Sequence, residues 1–183
     1  MEKKAHPNIT CPFGPALIEL RTMRGISQSR LSIMAECNVT NLRKIEKGSM
    51  QPGVSMAVRL VAATGTDVGD FFQKLAEDNG LLPLPGASGS GGMTYNESDF
   101  IKGIHLPGEK IPKGTRSIFG VMFKEVRAHY GVTQKTVAEK AHYNLRNILN
   151  VESGNQEPGI MTALAMVCAT GADVKDFFEQ LCR

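Results

Sequence analysis

The chain of 183 residues contains no run of about 18 consecutive apolar residues, which excludes a membrane-spanning helix. Its opening, MEKKAHPNIT, lacks the apolar stretch of a secretory leader, so none is expected. The four cysteines (Cys11, Cys37, Cys168, Cys182) are widely spaced and form no C-x-x-C pair, which argues against a zinc knuckle or a disulfide framework. The four histidines form no H-E-x-x-H or H-x-x-H pattern, and there is no Gly-rich phosphate loop. No nucleophile sits in a supporting Ser/Cys–His context either. Neither an enzymatic activity nor a metal or cofactor is therefore expected. A cytoplasmic, reducing setting fits best, with no membrane partner. The net charge of only +3 permits a nucleic-acid partner without demanding one.

What the chain does have is a repeat. Sliding it by 106 residues superimposes Phe13–Glu77 on Phe119–Arg183 without a gap, and 24 of the 65 aligned positions are identical. The matches fall where backbone or core chemistry is demanding: Gly25/Gly131, Gln28/Gln134, Ala35/Ala141, Glu46/Glu152, Gly48/Gly154 and Pro52/Pro158. The segment TGTDVGDFF returns as TGADVKDFF. A period this long exceeds the roughly 20–50 residues of a solenoid unit, so two tandem domains are predicted, 13–77 and 119–183. Residues 78–118 join them. Their first part, LLPLPGASGSGG, reads as a flexible linker. Their second part carries Tyr95, Phe100, Ile101, Ile104 and Leu106 and is expected to pack as a partly ordered arm.

Nothing alternates with period two for long enough to suggest a sheet, so the fold class is all-α. In the first copy a helix ending at Gly25 precedes Ser27, which suits the N-cap of a helix over 28–35. Asn38 then caps a helix over 39–47 that stops at Gly48. A turn at Gln51-Pro52-Gly53 precedes a helix over 55–64, and Asp67 caps a last one carrying Val68, Phe71, Phe72 and Leu75. The second copy repeats the scheme, with Thr133, Asn144 and Asp173 in the capping positions. Each copy is thus five short helices.

Two helices joined by a three-residue turn, the second opened by a polar cap, make a helix-turn-helix pattern. In such a unit the second helix enters the major groove with its N-terminal residues near base edges. The stretches RTMRGISQSRLSIMAECNVTNLRKIEKGSMQP and RAHYGVTQKTVAEKAHYNLRNILNVESGNQEP resemble the Cro/repressor (XRE-type) helix-turn-helix family. The carriers are Gly-(Ile/Val)-(Ser/Thr)-Gln, (Ile/Val)-Glu-x-Gly, the later Pro, and Asp-Val-x-Asp-Phe-Phe. The resemblance implies two five-helix lambda-repressor-like domains. It departs at Glu36 and His142, which stand where the family commonly has a turn glycine.

The resemblance also implies roles. Gln28 and Gln134 would reach the phosphate backbone or a base edge, with Lys135 beside the latter. Val39, Thr40 and Arg43 would read bases in the first copy, and Leu145, Arg146 and Leu149 in the second. Asn41 and Asn147 are able to donate to and accept from an adenine edge. Lys44, Lys47 and Asn150 stand where phosphates would be met, while Glu46 and Glu152 are expected to pair with Arg21 and Arg127. Plainer roles stay open: Gln28 and Gln134 as solvated helix starts, Asn41 and Asn147 as local turn formers. Cys37 reads as a small buried hydrophobe.

The copies differ in charge. Residues 14–77 carry eight basic against six acidic side chains, a balance of +2; residues 120–183 carry seven of each. The first copy should therefore bind DNA more strongly. A flexible joint of about 40 residues reaches roughly 35 Å, close to the 34–36 Å between half-sites one turn apart. One chain is thus able to cover both halves of an asymmetric site. The family resemblance instead favours a homodimer through the C-terminal helices. The expected function is sequence-specific binding of double-stranded DNA by a transcriptional regulator, a repressor of a bacterial, phage or mobile-element operon. The alternative is a protein-interaction module, antitoxin-like or partner-sequestering, in which the second copy mediates assembly.

Overall fold

The computed structural model describes residues 11–81 and 118–182, and within them the chain is all-helical. In order the helices are α1 (Phe13–Met23), α2 (Gln28–Met34), α3 (Val39–Glu46), α4 (Val54–Ala62) and α5 (Val68–Asp78). They are followed by α6 (Ile118–His129), α7 (Gln134–Lys140), α8 (Leu145–Glu152), α9 (Ile160–Thr170) and α10 (Val174–Leu181). Helices α7 to α10 begin 106 residues after α2 to α5, as the repeat requires. The expected arm, with Tyr95, Phe100, Ile101, Ile104 and Leu106, lies outside the described residues, as does most of the expected linker.

The sequence sets these boundaries by side chains that satisfy the unpaired first-turn amides. Ser27 Oγ accepts from Arg30 N at 3.2 Å and Asn38 Oδ1 from Thr40 N at 2.7 Å. Asp67 Oδ1 accepts from Asp70 N at 2.8 Å. Thr133, Asn144 and Asp173 make the same contacts in the second set. Helix α1 begins earlier than its apolar pattern suggests, because Pro12, at φ −63°, already has helical geometry at its N-terminus.

One continuous core runs through both sets. Phe13, Leu17, Leu31, Leu42, Val58, Val61 and Phe72 are fully buried in the first, and Phe123, Val137, Ile148, Leu164, Val167 and Phe178 in the second. Helix α1 crosses close to the end of α3, because Gly14 presents no side chain there. A Cβ at that point would run into the Ile45 carbonyl oxygen, and one at Gly120 into that of Val151.

The sets meet along a seam of reciprocal contacts. Gly53 and Gly159 form an antiparallel bridge, in which Ile160 N donates to Pro52 O at 2.9 Å and Val54 N to Pro158 O at 3.3 Å. Each of these residues is 106 positions from its counterpart. Helices α5 and α10 pack on each other more extensively than any other pair. The Phe72 and Phe178 rings, also counterparts, meet at 4.4 Å between centroids. Contacts that exchange equivalent residues define a pseudo-two-fold axis. Fully burying a phenylalanine side chain is worth about 1.5–3 kcal/mol, and the seam supplies part of that burial for each ring.

Candidate nucleic-acid interface

Helices α3 and α8 are short, and each is anchored from behind. Glu46, at the end of α3, is only 4% exposed. Its carboxylate accepts from Arg21 Nε at 2.8 Å, Arg21 Nη2 at 3.3 Å and Gln28 Nε2 at 2.6 Å. Arg21 also donates to the Ile26 carbonyl at 2.8 Å, tying the α1–α2 turn to the same point. The second set repeats this network. Glu152 accepts from Arg127 Nε at 2.5 Å, Arg127 Nη2 at 3.0 Å and Gln134 Nε2 at 2.7 Å, while Arg127 Nη1 reaches the Val132 carbonyl at 2.8 Å. A charge-assisted, bidentate pair with its remaining acceptor sites filled is the arrangement that a mostly buried ion pair needs. The pairing of Glu46 with Arg21 and of Glu152 with Arg127 is therefore a fact of the fold.

The network also fixes what Gln28 and Gln134 do. Their amide nitrogens are committed to the buried glutamates, so neither is a freely solvated helix start. In the first set the remaining Gln28 oxygen faces α3, where Arg43 Nε donates to it at 3.4 Å. Arg43 thus extends a chain running Arg21, Glu46, Gln28, Arg43. At the corresponding place in α8 stands Leu149, which cannot join it.

The other candidate residues divide by exposure. Thr40, Asn41, Arg43, Lys44 and Lys47 are exposed on α3 and in the turn after it, while Val39 is half-buried at its start. On α8, Leu145, Arg146 and Leu149 are exposed, whereas Asn147 and Asn150 are half-buried. Lys135 is exposed on α7 and pairs loosely with Glu139 at 3.9 Å. The expected residues therefore lie on or beside two surface helices, one cationic and the other displaying leucines that are 42% and 46% exposed. Arg30, exposed in the first turn of α2, adds a cation that the sequence pattern had not singled out.

The turn leading into each of these helices is tight. Glu36 and His142 stand at φ 50° and 49°, so the left-handed conformation is kept without the glycine that adopts it cheaply. Cys37, next in the chain, is half-buried, and desolvation pushes its thiol pKa up despite the Arg59 charge, which works in the opposite direction. Among the described residues no cluster of histidine, cysteine, aspartate or glutamate is arranged to hold a metal ion. No described helix is long and apolar enough to cross a membrane. Comparison with protein-family models, curated proteins and solved structures finds no match.

The seam contains residues that sequence reasoning missed. Glu157 Oε1 accepts from Ser55 N at 2.8 Å and from the Ser55 hydroxyl, and Lys175 Nζ pairs with Asp70 at 2.6 Å across α5 and α10. Both bonds join one set to the other. Their only sequence signal is that Gln51/Glu157, Ser55/Met161 and Gly69/Lys175 differ between copies otherwise alike in these segments.

Proposed function

We propose that the chain is a sequence-specific double-stranded-DNA-binding transcriptional regulator. It acts in the cytoplasm as a repressor that occupies an operator. In this reading the two sets are tandem XRE-type helix-turn-helix domains, and α3 and α8 are the helices that enter the major groove. One observation carries the reading: in both sets a surface helix with exposed side chains is locked by a buried glutamate to the helix before it and to α1 or α6. Base reading needs side chains held on a rigid element, and phosphate contacts need cations beside them. Arg43, Lys44 and Lys47 supply the cations on one side and Arg146 on the other.

The test is selection from a randomised duplex library with wild type, Arg43→Ala and Arg146→Ala. An enriched site that each variant relaxes at a different position supports the reading. No enrichment by wild type ends it.

A second reading has its own observation. Leu145 and Leu149 form an exposed apolar pair one turn apart on α8, which suits a protein partner as well as a base. A stable protein complex that excludes duplex DNA would favour that module.

A further inference from the structure

We infer that a single chain reads one asymmetric operator made of two unlike half-sites in inverted order. On it, Arg43 contacts a guanine in one half and Leu149 packs on a thymine methyl in the other. The inference rests on the DNA-binding reading above and specifies its ligand.

The inverted order follows from the seam. Reciprocal contacts at Gly53/Gly159, at Val54/Ile160 with Pro52/Pro158, and at Phe72/Phe178 relate the sets by a pseudo-two-fold axis. Two reading helices related in this way meet a duplex as inverted half-sites, because the protein axis coincides with a local two-fold of the DNA. A direct repeat would require a translation between the sets, which the seam does not provide.

The reliance on one chain follows from the differences across the seam. Gly69 leaves space that Lys175 and Glu179 occupy: a Cβ on it would stand 2.7 Å from Glu179 Cγ, 2.8 Å from the Lys175 carbonyl oxygen and 2.9 Å from Lys175 Cγ. Lys175 then pairs with Asp70. Pairing α10 with a second α10 would set Lys175 against Lys175, and pairing α5 with α5 would leave glycine facing glycine. Glu157 likewise finds Ser55 in the unlike pairing, where a like pairing offers it Met161. These are attractive contacts to the right half combined with mismatches against the wrong one. The apolar faces of α5 and α10 are covered by each other within the chain and so are not free to join a second copy.

The unlike half-sites follow from the reading helices. Arg43 is exposed and held by Gln28, suited to two bonds with guanine O6 and N7. At the same place Leu149 has no polar atom to offer, and the major-groove feature that rewards an exposed aliphatic side chain is the thymine methyl. Lys44 and Lys47 against Asn150 and Ser153 give the Arg43 side two more cations for phosphate contacts at these places.

The experiment uses the full chain. Wild type and Leu149→Arg each select from a randomised duplex library, and the mass of the complex on the selected duplex gives the stoichiometry. The expected site has two dissimilar halves, inverted, about 10 base pairs between centres, and is bound by one chain. Replacing the thymine opposite Leu149 by uracil should weaken wild type about fourfold, the worth of one buried methyl, and leave Leu149→Ala unaffected. In the Leu149→Arg selection that position should change to guanine while the other half stays as it was. Leu149 is exposed, so neither substitution removes a core residue.

A direct repeat, a symmetric palindrome bound by two chains, or a Leu149→Arg selection identical to wild type overturns the inference while leaving DNA binding standing. The last of these would assign the α8 leucines to a protein. Failure of wild type to enrich any duplex instead removes the DNA-binding reading and the inference together.

Discussion

Among the described residues, Glu46 and Glu152 are buried acids on which two other helices converge. Each is buried, each accepts from an arginine and a glutamine on two other helices, and each closes the helix proposed to read DNA. Removing one partner of such a pair leaves the other charge uncompensated. Glu46→Ala is therefore expected to cost about 3 kcal/mol, seen as a lower urea midpoint at unchanged slope. Glu36 and His142 give the opposite sign. A side chain in the left-handed region is strained where glycine is not, so Glu36→Gly and His142→Gly should each stabilise by about 0.5–1 kcal/mol in thermal melts. At this scale the sequence was highly readable. All six polar caps, the two Arg–Glu pairs and the awkward turn residues are visible from residue type and spacing, because each acts within a few residues or repeats in both copies. The commitment of Gln28 and Gln134 to the buried glutamates was not visible. An N-terminal glutamine looks the same whether it faces solvent or a partner 18 residues away.

At the scale of helices, the distances between elements are set by residues without side chains. Gly14 and Gly120 let α1 and α6 lie against the carbonyl ends of α3 and α8, and Gly69 lets α10 lie on α5. At Gly14 and Gly120 the contacts are with backbone, which cannot swing aside as the tip of a long side chain can; at Gly69 one of the three nearest atoms is backbone, the Lys175 carbonyl oxygen. Gly14→Ala and Gly120→Ala should each destabilise by about 1–3 kcal/mol, and the displaced α1 or α6 should loosen the arginine anchor. Gly69→Ala should cost a similar amount, through the seam instead of the anchor. Hydrogen exchange separates the two cases: Gly14→Ala should lose protection first in α1 and α3, and Gly69→Ala in α5 and α10. Helix existence and order were legible from apolar spacing and caps. The starts of α1 and α4 lie a few residues or one residue earlier than the pattern suggests, because Pro12 and Gly53 begin these helices without a capping side chain.

For the whole molecule, the repeat was legible and the seam was not. An amphipathic helix announces that one face is buried without saying what covers it, so the faces of α5 and α10 read equally well as a contact between chains or within one. The joining of unlike halves depends on a few single-residue differences that have no periodicity. The difference in charge between the copies is legible from residue counts alone, and it leads to a quantitative expectation. Each phosphate neutralised on duplex DNA contributes about 0.9 to the slope of log affinity against log salt. Lys44→Ala and Lys47→Ala should each flatten that slope by about 0.9 if the α3 side holds the phosphates. Asn150→Ala and Ser153→Ala, at the matching places on the α8 side, exchange one neutral side chain for another and should leave the slope where it was, whatever they do to affinity. Fluorescence anisotropy on one selected duplex between 50 and about 200 mM salt measures all four. Equal flattening by the lysine and the neutral variants would mean that the slope follows loss of fold or register. Flattening confined to the lysines would place phosphate contacts at Lys44 and Lys47.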